Sequence, residues 1–139
     1  MKYNEETLRA IYAKTNGRCH LCSESIAFSN YGKHGRRGGW ELDHSVPLAE
    51  GGTDHLNNLL PAHTSCNRSK QALSSRAARS ANGRSRAPLS AEAARRAKIG
   101  GALSGAFAGG LLGARLGGPA GFWIGAIAGA LVGLETNLE

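Results

Sequence analysis

Asp43 and His44 stand side by side, Asn58 follows fourteen residues after the histidine, and Asn67 lies nine residues further on. Two pairs of metal-capable groups accompany them at one spacing: Cys19-His-Leu-Cys22 and His63-Thr-Ser-Cys66. Tetrahedral zinc takes Cys sulfur and His nitrogen, and four protein ligands leave no open position, which makes such a site structural. Cys19, Cys22, His63 and Cys66 are therefore read as one zinc site; the alternative is free thiols and a surface histidine. His20 is read as a non-ligand, since it would sit between two ligands on one knuckle. Three cysteines cannot all pair with one another, so the pattern favours metal over disulfides, and with it a reducing compartment. His44 brings a different chemistry: an imidazole titrates near neutrality and can take a proton from water at ordinary pH.

These groups need elements to hold them. Asn4 reads as a helix N-cap, with Glu5 and Glu6 in the first turn and Leu8, Ile11 and Tyr12 on one apolar face. Thr15-Asn16-Gly17 stops that helix, and the Cys19 to Cys22 knuckle follows. Residues 29–39, SNYGKHGRRGG, form a loop by their glycine content. Trp40 to His44 is a short strand, Pro47 through Thr53 a turn, and Leu56 to Leu60 a second strand. A helix begins at Ser65, with Arg68 and Lys70 placed on its exposed side. Cys66 and Asn67 are helix neighbours, so their side chains diverge by about 100° and can serve different sites. Asp43 and His44 are harder to place, because strand neighbours point to opposite faces. The strand must end or twist at this pair.

The segment WELDHSVPLAEGGTDHLNNLLPAHTSCNRSK, from Trp40 to Lys70, together with the preceding knuckle, resembles the HNH endonuclease family, small metal-dependent nucleases with a ββα-metal core. The resemblance covers roughly residues 4–75 and includes Trp40, the Gly51-Gly52 turn and the Asn58-Leu59 step. Strand, loop, strand, helix is the order that fold needs. By this resemblance His44 is the general base, and Asp43 and Asn67 are the two ligands of a catalytic divalent ion, Mg²⁺ or another. Asn58 is the middle asparagine that bonds backbone near the base and fixes its ring. Many relatives carry four cysteines at the zinc site, so His63 is a departure in ligand type. DNA contact is expected from Arg36, Arg37, Arg68, Lys70 and the arginines that follow. Phosphate contacts of this kind position a duplex without reading bases, so low sequence specificity is expected.

The chain has 139 residues and a net charge of +7. That balance suits an anionic partner, DNA or acidic membrane lipid, with a merely basic soluble surface as the alternative. The expected fold class is α+β: a small zinc-stabilised ββα-metal nuclease domain over 1–75, then a C-terminal α-helical hairpin. A domain of that size has little core and commonly leans on a metal. Residues 76–98 are rich in Arg and Ser with one acid, Glu92, and read as a flexible basic linker with a short helix from Ser90 to Lys98. The first 20 residues are polar, so no secretory leader is expected.

Glycine then recurs at 101, 105, 109, 113, 117, 121, 125, 129 and 133, a period of four. Glycine costs a soluble helix about 1 kcal/mol relative to alanine, whereas in lipid small residues four apart let helices pack closely. The pattern resembles a glycine zipper. Such a stripe drifts by about 40° per step around one straight helix, so Pro119 and its flanking glycines are read as a break between two helices. Residues 99–134 are thus expected as a hydrophobic hairpin in membrane, able to form homo-oligomers, and 135–139 as a polar tail. A Gly/Ala-rich disordered tail is the alternative.

The expected function is a DNA endonuclease tethered to a membrane, as a defence nuclease or a nuclease toxin. A toxin implies an immunity protein as partner. The arginines before the hairpin place the nuclease on the cytoplasmic face of a bacterial inner membrane; a cytoplasmic protein and a secreted toxin are the alternatives. The rival function is a non-catalytic zinc-containing module that anchors DNA to membrane.

Overall fold

The computed structural model describes residues 3–102 and residue 127. The chain divides into two compact units, Met1–Ala91 and Glu92–Glu139. In the first, helix α1 spans Glu5–Ala13, and its Asn4 cap accepts a 2.9 Å hydrogen bond from the Thr7 amide. This satisfies one of the amides that a helix start leaves unpaired. Leu8 and Ile11 are buried on its inner face. The helix stops where Asn16 and Gly17 turn to positive φ.

Strand β1, Trp40–His44, pairs antiparallel with β2, Leu59–His63, with Trp40 opposite His63 and His44 opposite Leu59. The second strand lies later than the span expected from Leu56 to Leu60. Leu56–Asn58 instead form a 3-10 turn, capped by the His55 side chain, which accepts from the Asn57 amide at 3.3 Å. Lys14 Nζ donates to the carbonyls of Leu56 and Leu59 and ties α1 to this turn. Only beyond it is the backbone free to pair. Pro61 is tolerated within β2 because its missing N–H is not needed; its carbonyl accepts from the His20 amide at 2.9 Å.

Helix α2 covers Thr64–Lys70 directly after β2 and packs on both strands. The strand, loop, strand, helix order is therefore present. Trp40 is fully buried at the centre, ringed by Tyr12, Phe28 and Tyr31, and its Nε1 donates to the Phe28 carbonyl. Truncating an aromatic in such a core costs about 3–5 kcal/mol, so this cluster is a main support of the sheet.

Helix α3, Ser75–Ala81, lies within the stretch expected as flexible linker. It folds because Ser74 caps it, Ala78 joins the core, and the Ser75 hydroxyl donates to the Ser45 carbonyl. In the second unit, residues 92–102 are helical up to the last described position of that run. The expected glycine-zipper hairpin over 99–134 and the expected polar tail over 135–139 lie outside the described residues, apart from 99–102 and Ile127. Among the described residues no helix is long and apolar enough to cross a membrane.

Candidate active site and metal centre

The knuckle comes first because it positions the rest. The Cys19 amide donates to the Glu24 carbonyl, the Cys19 carbonyl accepts from the Ser23 amide, and the His20 amide docks the turn onto β2. His63 ends β2 and is the N-cap residue of α2, and Cys66 follows three residues later in the first turn, so the two ligands sit on either side of the strand-helix junction. The ligand atoms of Cys19, Cys22, His63 and Cys66 consequently lie within 4.8 Å of one another. The ring of His63 is already oriented. Its Nε2 donates to the Ser25 carbonyl at 3.2 Å, while Nδ1 faces Cys22 Sγ at 3.4 Å. A carbonyl cannot donate, so Nε2 carries the proton and Nδ1 is bare, the usual arrangement behind a metal-bound histidine. Burial, then the neighbouring Cys19 and Cys22, push the Cys66 thiol up to about 12; burial also raises Cys19. A cation at the centre inverts that balance, since a coordinating thiol is deprotonated outright. Three sulfurs and one nitrogen in this arrangement fit a closed, structural metal site.

The second site forms where β1 ends. Asp43, His44 and Asn67 line one concavity of about 310 Å³, together with Pro47, Leu48 and Lys70. The strand-neighbour problem is solved by termination: β1 stops at His44, so Asp43 and His44 both reach the same hollow. Gly51, at φ 83°, closes the turn that follows, and a Cβ on Gly52 would collide with the Val46 and Pro47 carbonyls. The residues sit as a set because the chain folds back here.

His44 Nε2 lies 2.8 Å from Asp54 Oδ1. An ionised carboxylate only accepts, so Nε2 holds the proton and Nδ1 is left able to take one. Asp54 was not singled out from the sequence. Asn58 does not enter the concavity. Its Oδ1 accepts from the Val46 amide at 2.8 Å, and its Nδ2 donates to the Val46 and Thr53 carbonyls at 3.0 and 2.9 Å. It therefore staples the segment after His44 to the segment carrying Asp54. Asn67 Nδ2 donates to Glu41 Oε1 at 2.9 Å, so its amide oxygen is turned away from that carboxylate.

Asp43 is 3% exposed and is held at both oxygens: Oδ2 by His20 Nε2 at 2.7 Å, Oδ1 by Lys70 Nζ at 2.9 Å. Each carboxylate oxygen has two lone pairs, so Asp43 keeps acceptor capacity toward the concavity. With the Asn67 amide oxygen, it offers hard oxygen donors of the kind Mg²⁺ takes while keeping most of its waters. The donor set fits such an ion.

Lys70 requires a correction. The expectation of an exposed, DNA-facing side chain fails: Lys70 is 3% exposed, and its ammonium also donates to the His44 carbonyl at 2.9 Å. It lies three residues after Asn67, on the same helix face and thus toward the concavity rather than away from it. Arg36, Arg37 and Arg68 do come together, lining a groove of about 680 Å³ with His34, Thr64 and Ser65. All three arginines are exposed.

Residues 19–73 match the family model described as HNH endonuclease. The matched stretch contains the knuckle, both strands, α2 and every residue lining the concavity. No curated protein and no solved structure shows a significant match to the chain. The domain match and the metal-ligand cluster together support a nuclease that depends on metal.

Proposed function

We propose that this protein is a DNA endonuclease that hydrolyses phosphodiester bonds with low sequence specificity. The observation that carries the reading is the shared concavity of Asp43, His44 and Asn67, with Asp54 fixing the histidine from the outside. Asp43 and Asn67 would hold a catalytic divalent ion, which when bound supplies a Lewis acid for the phosphoryl oxygens. His44 Nδ1 takes the proton from the attacking water. Asn58 acts on backbone alone and keeps the two loop segments in register. Zinc in the Cys19, Cys22, His63 and Cys66 cluster would hold the knuckle against α2. Arg36, Arg37 and Arg68 bind the phosphates that flank the cut, positioning the duplex without reading it. Supercoiled plasmid incubated with the purified chain tests this directly. Nicked and linear forms are expected with Mg²⁺ and not with a chelator in its place. Tight plasmid binding without cleavage under any divalent ion would favour the non-catalytic anchoring module instead.

The tail adds location to this chemistry. The period-four glycines from 101 to 133 support a segment that packs helix against helix in lipid. The arginines ahead of it support a nuclease facing the cytoplasm. Full-length protein is expected to fractionate with membranes and to stay there in high salt. Attraction of arginines to acidic lipid cannot mimic that result, because it is screened within about 10 Å at 0.1 M salt. Recovery of the full chain as a soluble monomer would remove the membrane from the reading.

A further inference from the structure

His20 sits between two cluster cysteines, yet its side chain serves the other site. It is fully buried, and its Nε2 meets Asp43 Oδ2 at 2.7 Å. Its other nitrogen, Nδ1, faces a guanidinium nitrogen of Arg79 at 3.5 Å. A guanidinium has only donors to offer. Nδ1 is therefore the acceptor, Nε2 bears the proton, and the bond to Asp43 runs from histidine to carboxylate. Three separate elements meet in this line: Arg79 on α3, His20 on the knuckle and Asp43 at the end of β1. Lys70 on α2 closes it from the far side of the carboxylate.

We infer that His20 is a positioning residue that fixes the rotamer of Asp43 for divalent-ion binding, so that the knuckle orients a catalytic ligand as well as stabilising the domain. The inference rests on the reading of Asp43 and Asn67 as ligands of that ion. The physical ground is directional. Lys70 already holds Oδ1, so without the His20 donor the carboxylate is anchored at that one oxygen only and can turn about it, and its free lone pairs lose a fixed direction. With His20 in place the two anchors together fix the plane of the carboxylate at the wall of the hollow that Asp43 shares with Asn67. Partners of this sort, one bond removed from a metal, are typically worth about 10–100-fold in metal affinity.

The test is Mn²⁺ binding to the zinc-loaded full chain, followed by the paramagnetic signal of free Mn²⁺, with zinc content and melting temperature measured alongside. Binding is assigned to this site by its loss in Asn67→Ala. His20→Leu fills the space without a donor and is expected to keep its zinc but bind Mn²⁺ about 10–100-fold more weakly. His20→Gln carries an amide N–H at the reach of Nε2 and should return to within a few-fold of the unaltered chain. Unchanged Mn²⁺ affinity in His20→Leu overturns the inference, and so does an equal loss in His20→Gln when zinc is retained. Should His20→Leu fail to fold, His20→Asn replaces it, because its shorter amide does not reach Asp43 Oδ2: a tenfold or greater loss beside a near-normal His20→Gln upholds the inference, and unchanged affinity overturns it. An unaltered chain that binds no Mn²⁺ sinks the reading of Asp43 and Asn67 as ligands, and this inference with it.

Discussion

His44→Ala is expected to abolish Mg²⁺-dependent plasmid nicking while leaving zinc content and melting temperature unchanged. The rate should fall by about 10²–10⁴-fold, the usual contribution of a positioned general base. The fold should survive because His44 is only partly buried and its ring bonds to Asp54, itself half exposed, rather than to the core. No buried polar group is stranded by the change. Asp54→Asn provides a graded comparison. An amide can still meet the ring but can present its N–H instead of an acceptor, which loosens the tautomer and the orientation of His44. Misplacement of a reacting group by about 1 Å can cost about 10²-fold, so Asp54→Asn should slow nicking less than His44→Ala. Near-normal nicking by His44→Ala would take the histidine out of the mechanism, and another base would have to be sought in the same hollow.

Much of this site was legible because its chemistry is local in sequence. The two spaced ligand pairs find each other once β2 runs into α2, and the helix turn alone separates Cys66 from Asn67. The α1 cap at Asn4 was readable from side-chain chemistry, and the strand from Trp40 to His44 falls where it was expected. What could not be read depends on partners brought from far along the chain. His20 is 23 residues from Asp43, and Arg79 is 59 residues from His20; no spacing rule connects them. Lys70 is a different kind of miss. Its i+3 relation to Asn67 was available and pointed inward, but a lysine beside an exposed arginine was read by its charge. The later start of β2 follows from side chains capping backbone at His55 and Lys14, a contest between turn and strand that hydrophobic pattern does not register. Helix α3 was hidden by composition, since an Arg- and Ser-rich stretch gives little sign that one small residue, Ala78, reaches the core.

Removing the cluster metal should have the largest effect on the molecule as a whole. The purified chain is expected to carry one tightly held zinc, and Cys66→Ser to unfold the unit that contains the knuckle. The argument is one of scale. The buried core is short, resting on Trp40, Leu21, Ile11 and a few neighbours, and domains of this class are stable by only about 5–15 kcal/mol. Binding of a structural zinc is worth about 10–16 kcal/mol near neutral pH in comparable small sites, and that free energy is folding free energy. Loss of the ion is therefore as large as the stability it supports. The geometry adds a second reason. Without a cation, three crowded thiols and an imidazole meet at the junction of knuckle, β2 and α2, with burial first raising the Cys19 and Cys66 thiols. The same junction carries His20 against Asp43, so the active site should come apart with the fold rather than after it. His63→Cys separates ligand chemistry from packing: thiolate is an equally good zinc ligand, so this variant should retain zinc and melt cooperatively, whereas Cys66→Ser should not. A chain that is purified free of metal and melts at the same temperature with and without a zinc chelator would show that the cluster does not support the fold.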